Sequence, residues 1–280
     1  IASCLVGSEM CIRDRARPAS SAPSRRRFRY LSVRARRGLV LPALLLLLWE
    51  LSAHLGWVDR RFLPPLEQVA ATALHELRDG DLLLHLSASL SRNLTGFAIG
   101  SAAGVVFGAW LGLSRTAREL INPTFNALKQ IAVLAWIPLI SIWFGFAEIA
   151  KVTFIALAAF VPVALNTFEG MGSAPPQILE VARSLCLSRS QTLRRVYLPA
   201  AVPSILTGIH LGLIYTWLAT VAAEYFMTVG PGLGGMIIAG RERFDMDLVM
   251  LGVVILGAVG YGLNRLAQWA EEYLLRWRDG

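Results

Sequence analysis

Apolar residues in this chain gather into six long runs separated by short polar stretches. They fall at about Leu39 to Trp57, Leu94 to Leu113, Thr124 to Phe144, Ile149 to Thr167, Ile205 to Met227 and Leu248 to Ala267. Each offers roughly 17–25 residues, the length a helix needs to cross a bilayer. Backbone polar groups find no water in lipid, so helices are the expected form. Glu50 and His54 interrupt the first run, Lys129 lies early in the third, and Lys151 stands at the rim of the fourth. The pattern predicts an all-α integral membrane protein with six transmembrane helices.

Lys and Arg near the span ends set the orientation. Arg25, Arg26, Arg27, Arg29, Arg34, Arg36 and Arg37 precede the first run and place the N-terminus in the cytoplasm. Six crossings return the C-terminus to the same side. Arg115 and Arg118, and then Arg183, Arg189, Arg194 and Arg195, fall in loops expected on the inside. The outer segments, Val58 to Arg92 and Arg241 to Asp247, mix acids with bases, and Leu66 to Leu77 reads either as a short amphipathic helix or as a plain loop.

Composition agrees. The 280 residues are 55% hydrophobic and only 16% charged, less charge than a soluble domain carries. A net charge of +8 could suggest nucleic acid. Here most of the Arg borders the spans, so lipid headgroups are the expected phosphates and no nucleic-acid partner is implied. Cys4, Cys11 and Cys186 show neither metal spacing nor a disulfide framework. The chain begins with Ile, and Cys4 to Arg15 resembles a translated sequencing-adapter artefact, so residues 4–15 are set aside. Residues 1–37 as a whole read as a disordered basic tail, and 38–280 as the membrane domain.

The second run carries Gly96, Gly100, Gly104, Gly108 and Gly112, glycines at intervals of four. They form one small-residue face suited to close helix packing. Glu224 is an ionisable group inside an apolar run. It is read either as a pathway residue or, with slight preference, as an anchor for the turn Gly230 to Gly235. Asn166, Thr216 and Trp217 are further pathway candidates. His210 reads as a packed imidazole rather than a ligand, and the four histidines show no metal spacing. No catalytic constellation and no phosphate-binding loop appear, so no cofactor is expected and ATP should not bind to this chain.

The most informative stretch is Glu180 to Pro199, polar between apolar runs. Pro175 and Pro176 suit a helix start, and Ser188 with Gln191 forms a capping-box pattern for a second helix. Pro199 is expected to end that second helix. Its letters read Glu180-x-Ala182, three residues, Cys186, nine residues, Val196-x-Leu198-Pro199. This spacing resembles the EAA loop of ABC-importer permeases, E-A-A, three residues, G, nine residues, I-x-L-P. Val181 replaces an Ala, Val196 an Ile and Cys186 the Gly. Ser89 to Gly100, Trp136 to Gly145, and Ala223-Glu224 followed by Gly232-Leu233-Gly234 resemble the nitrate, sulfonate, taurine and bicarbonate branch of that family.

The resemblance implies a type I importer permease in a bacterial inner membrane. It implies coupling helices at about 176–199 that dock on a separate ATP-binding subunit, with Glu180, Ala182, Arg183, Cys186, Leu198 and Pro199 as the coupling residues. An extracytoplasmic substrate-binding protein and a second copy of the chain are the implied partners, with membrane lipid around them. The implied cargo is a small oxyanion such as an aliphatic sulfonate, taurine or nitrate. The alternatives are a pyrimidine-type vitamin precursor carried by the same machinery, or an ion-coupled secondary transporter. At Cys186 two outcomes stay open: another turn conformation, or a strained left-handed residue at a cost of about 1–2 kcal/mol.

Overall fold

The computed structural model describes residues 27–275 except 60, 79 and 228, with side chains from residue 40 onward. By its contacts the chain divides into two units, Ile1–Leu51 and Ser52–Gly280. The first holds most of helix α1 (Arg27–His54), whose apolar part is Val40–His54. This helix begins inside the segment expected to be a disordered tail. The set-aside residues 4–15 lie outside the described residues.

In the second unit the helices are α2 (Leu66–Arg78), α3 (Leu82–Leu113), α4 (Arg115–Leu128), α5 (Ile137–Phe144), α6 (Glu148–Met171), α7 (Pro176–Ser184), α8 (Arg189–Thr192), α9 (Leu198–Phe226), α10 (Leu233–Arg243) and α11 (Met246–Leu274). Among the described residues, four helices are long and apolar enough to cross a membrane: α3, α6, α11 and the run Arg189–Phe226 that contains α9. A fifth crossing arises if α4 and the segment Val133–Phe144 count as one broken span, bent by 91°.

That bend corrects the third predicted span, which is not one straight helix. Polar Lys129 and Gln130 end α4, a 3₁₀ turn covers Val133–Trp136, and Pro138 enters the first turn of α5. A proline there loses no hydrogen bond, so the chain restarts in a new direction. Helix α3 also departs from expectation by starting at Leu82, about three turns before the predicted Leu94. The predicted amphipathic helix at Leu66 is α2, which packs on α11 with Thr72 Oγ1 donating to Asp247 Oδ2 at 2.5 Å.

The core is α6 sandwiched between α3 and α9. Gly96, Gly100, Gly104 and Gly108 are buried, and each faces α6 residues at backbone range. A Cβ on Gly104 would lie 2.9 Å from Val163 Cβ, 3.0 Å from the Phe160 carbonyl oxygen and 3.1 Å from Ala164 N. On Gly100 it would press into the Ala156 carbonyl, and on Gly108 into that of Ala164. The α6–α9 contact uses the same device, with Gly208 against Asn166 and Gly170 against Ser204. Lipid tails are as apolar as the helices, so this contact is held by close van der Waals approach. Ala159, Val163 and Ala164 are fully buried in it.

Gly104→Leu therefore forces the α3 and α6 backbones apart and should cost about 1–3 kcal/mol, the usual range for overpacking. We expect an inserted protein with a lowered melting temperature in detergent. Val106→Leu, at a position 71% exposed, should melt like wild type. A Gly104→Leu protein as stable as wild type would show the contact to be slack.

Candidate functional site

Two places concentrate polar chemistry, one at each end of α9. The first is the hairpin that precedes it. Helix α7 starts on Pro176 and ends with Cys186 at φ 50°, in the left-handed region. Leu187 N–H donates to the Ala182 carbonyl at 3.1 Å and Cys186 N–H to that of Arg183 at 2.9 Å. This is a Schellman ending, built on a residue that bears the left-handed cost. Of the two outcomes open at Cys186, the chain adopts the strained one. Ser188 then caps α8: its side chain accepts from Gln191 N–H at 3.3 Å, and Gln191 Oε1 accepts from Ser188 N–H at 2.9 Å.

The expected stop at Pro199 does not occur. A π-helical turn over Leu193–Tyr197 runs straight into α9, and Leu198 N–H donates to the Leu193 carbonyl. The wider turn brings Pro199, which lacks an N–H, into the start of the next α-helical segment, where none is missed. Ala182 is buried, while Glu180, Arg183, Cys186, Leu198 and Pro199 are exposed. Ile178, Val181 and Leu185 are 50%, 58% and 67% exposed at spacings of three and four, so they share one outward apolar face.

The second place surrounds the turn from Val229 to Gly234, beyond the far end of α9. Arg92 of α3 donates from Nε to Glu148 Oε2 at 2.6 Å and from Nη2 to Glu148 Oε1 at 2.8 Å. Its Nη1 donates to Glu224 Oε1, and Nη2 also reaches the Pro231 carbonyl at 3.1 Å. Lys151 Nζ donates to the Val229 carbonyl and lies 3.7 Å from Glu148 Oε1. Ser89 Oγ donates to Glu224 Oε1 at 2.7 Å and accepts from Leu233 N–H at 2.9 Å. Gly234 N–H donates to Glu224 Oε2 at 2.9 Å, and Gly232 N–H donates to His85 Nδ1 at 2.8 Å. Glu224 thus ties the turn directly, and Gly232 has no room for a Cβ, which would lie 2.6 Å from Glu224 Cδ.

Reading the sequence for spans misses Arg92, Glu148 and the burial of Lys151. Hydropathy places Arg92 in an outer loop and Lys151 at a rim, whereas both are buried. The missed signal is helical spacing: His85, Ser89 and Arg92 recur at intervals of four and three, one face of a helix that starts earlier than hydropathy indicates.

The other pathway candidates do not join this cluster. Asn166 Nδ2 donates to the Pro162 carbonyl at 2.8 Å and packs on Gly208. Thr216 Oγ1 donates to the Leu213 carbonyl, and Trp217 Nε1 donates to the Leu256 carbonyl of α11 at 3.1 Å. His210 lies 2.9 Å from Glu271 Oε2 and 2.8 Å from Asn264 Oδ1, linking α9 to α11.

Comparison with known proteins concerns the chain as a whole. Residues 100–279 match the family described as binding-protein-dependent transport system inner membrane component. The chain is 35% identical over 257 residues to the putative aliphatic sulfonates transport permease protein SsuC of Bacillus subtilis, covering 92% of this chain and 91% of that one. It is 34% identical over 240 residues to the taurine transport system permease protein TauC of Escherichia coli, covering 84% and 87%. It is 35% identical over 198 residues to the bicarbonate transport system permease protein CmpB of Synechococcus elongatus, covering 71% of each. In fold it resembles an inward-facing MetNI methionine ABC transporter, with TM-score 0.59 at 19% identity, covering 72% of this chain and 97% of that one. It also resembles an amino acid ABC transporter, with TM-score 0.58 at 20% identity, covering 77% and 99%.

Two expectations follow from the geometry. Cys186→Gly removes the left-handed strain and should stabilise the α7 ending by about 1 kcal/mol, read as slower hydrogen exchange at the Leu187 amide. Unchanged exchange there would mean the turn carries no strain. Glu224→Gln leaves two turn contacts and a buried guanidinium without their carboxylate, and should cost about 3–5 kcal/mol in unfolding measurements. Glu148→Gln should cost less, because that carboxylate is open to the exterior and Arg92 keeps Glu224.

Proposed function

Because this chain belongs to the family of binding-protein-dependent transport system inner membrane components, we propose that it lines the translocation pathway of an ATP-driven importer for a small oxyanion. Family membership makes it a permease subunit of the inner membrane, not an enzyme, with ATP hydrolysis on a separate chain. It also sets aside the ion-coupled transporter. The cargo reading is supported by the relatives, whose names specify aliphatic sulfonates, taurine and bicarbonate, all small anionic or zwitterionic oxyacids.

The observation that carries the coupling role is the hairpin at 176–199. Its apolar row Ile178, Val181 and Leu185 faces outward beside Glu180 and Arg183, a surface fit for a groove in a soluble partner. The proposed complex holds two copies of this chain, two ATP-binding subunits and an external binding protein, within membrane lipid. The chain crosses six times, through α1, α3, the bent α4–α5 pair, α6, α9 and α11, with both termini cytoplasmic. Closure of the ATPases on ATP moves the hairpins and shifts the spans between inward- and outward-facing states. The differential contacts of the two states supply the work. Asn166, Thr216 and Trp217 remain pathway candidates within that frame.

The test is Glu180→Lys in the reconstituted complex, which reverses a charge on the docking surface and leaves the spans intact. Insertion should be normal, with sulfonate uptake and substrate-stimulated ATPase lost. In a Cys186→Ser background, Ser188→Cys should label only from the cytoplasmic side. Normal uptake by Glu180→Lys, or labelling of Ser188→Cys from outside, would reject the assignment of the hairpin.

A further inference from the structure

Within the ion cluster Arg92, Glu148, Lys151 and Glu224, three side chains are closed in: those of Arg92, Lys151 and Glu224 are 3%, 2% and 2% exposed. That of Glu148 is 58% exposed. The one member open to the exterior is therefore an anion, and it is the member that faces both buried cations. It fills the Arg92 fork with two oxygens at 2.6 and 2.8 Å and lies 3.7 Å from Lys151 Nζ. A guanidinium fork presents the same pair of N–H groups to any carboxylate or oxyanion of similar width.

Turning Glu148 outward leaves two cations against one carboxylate. Glu224 cannot move over to compensate, because its Oε2 is committed to Gly234 N–H and its Oε1 to Ser89 and Arg92 Nη1. Lys151 keeps its hydrogen bond to the neutral Val229 carbonyl and only the more distant charge of Glu224. The vacated position is short of negative charge in a place where unpaired charge is costly. Glu148 is held only on its inner side, its outer side being exposed. It is the first residue of α6, its N-cap Ala147 forms no side-chain cap bond, and a Gly145 at φ 68° precedes them.

The geometry points to the Glu148 position as a displaceable oxyanion subsite, in which a small oxyanion takes over the Arg92 fork and Lys151 while Glu148 swings outward. This rests on the oxyanion cargo proposed above and places a staging point for it beside the turn. Glu148 acts as a tethered competitor, which an oxyanion from solution must displace. The subsite is therefore weak and exchanges quickly, as a transport pathway requires of a site that must release its occupant.

The full chain, assembled with its ATP-binding partner in nanodiscs, is titrated with inorganic sulfate, with sodium chloride at matched ionic strength as control. Calorimetry and thermal unfolding are the readouts. Wild type should bind sulfate weakly. Glu148→Ala should bind it about tenfold more tightly, because the tethered competitor is gone, and should regain stability in sulfate but not in chloride. Adding Lys151→Met should abolish the gain. Glu148→Gln, which keeps the shape and removes the charge, is read in the same way if Glu148→Ala does not assemble. No gain in Glu148→Ala would make Glu148 a fixed counter-ion and reject the subsite, and a gain that survives Lys151→Met would place the sulfate away from Lys151 and reject it equally. Sulfate binding by Glu148→Ala but none by wild type would make Glu148 a permanent lock and equally reject a displaceable subsite. Sulfate binding as expected without sulfonate uptake would remove the importer's cargo and keep the subsite. Uptake without any gain in binding would remove the subsite alone.

Discussion

A buried guanidinium is expensive in an apolar helix packing, and the far end of the second unit is organised around meeting that cost. Arg92 sits 4% exposed on α3 and reaches one carboxylate on α6, one on α9 and a carbonyl of the turn after α9. Four separate segments are thus fixed by a single side chain. Replacing such a network by apolar residues can be neutral in free energy, but removing one member leaves a stranded charge. Its presence therefore argues for a positional role: it specifies where the Val229–Gly234 turn rests against α3 and α6.

The network depends in turn on helices that come unusually close. Arg92 reaches Glu148 and Glu224 where α3 and α9 present glycines to α6 and let the backbones approach closely. Gly96, one turn beyond Arg92, lies against Ile155, one turn beyond Lys151. The small-residue face and the ion cluster are consecutive parts of one interface. Close approach fixes the helix spacing, and the charges fix the register at its end.

Much of this was legible in the chain. Hydropathy located four of the long helices, because a bilayer span needs a run that nothing else requires. The capping box at Ser188 and Gln191 and the ending at Cys186 follow from local backbone chemistry, which short sequences encode well. The glycine period identified a packing face but not its partner, since the facing residues of α6 are ordinary Ala, Val and Ile. The break at Lys129–Trp136 was hidden by averaging hydropathy across it. Arg92 was hidden by the same logic, because a charge reads as a boundary. Its partners lie 56 and 132 residues away, and pairing at that separation carries no local signal. The π turn before Pro199 also escaped, because a proline reads as a stop unless the preceding turn widens to receive it.

That π turn connects the two candidate sites. Because the helix does not stop at Pro199, Arg189–Phe226 is one continuous run of 38 residues. At 1.5 Å per residue it is about 57 Å long, more than enough to reach from one side of a bilayer to the other. The hairpin with its exposed apolar row is at one end and Glu224, with the turn it ties, is at the other. A break at Pro199 would have let the hairpin pivot independently of the span. With the break absent, a displacement of α8 is passed into α9, which carries Pro203 inside it, while α7 joins the run through the turn at Cys186. Glu224 then moves relative to Arg92, which is held on α3. The salt bridge between them is short-ranged and geometrically demanding, so it is sensitive to a small tilt of α9, while the turn itself stays tied to Glu224 through Gly234 N–H. In the proposed importer, the docking face on α7 thus reaches the opposite end through two elements, the turn at Cys186 and the run Arg189–Phe226.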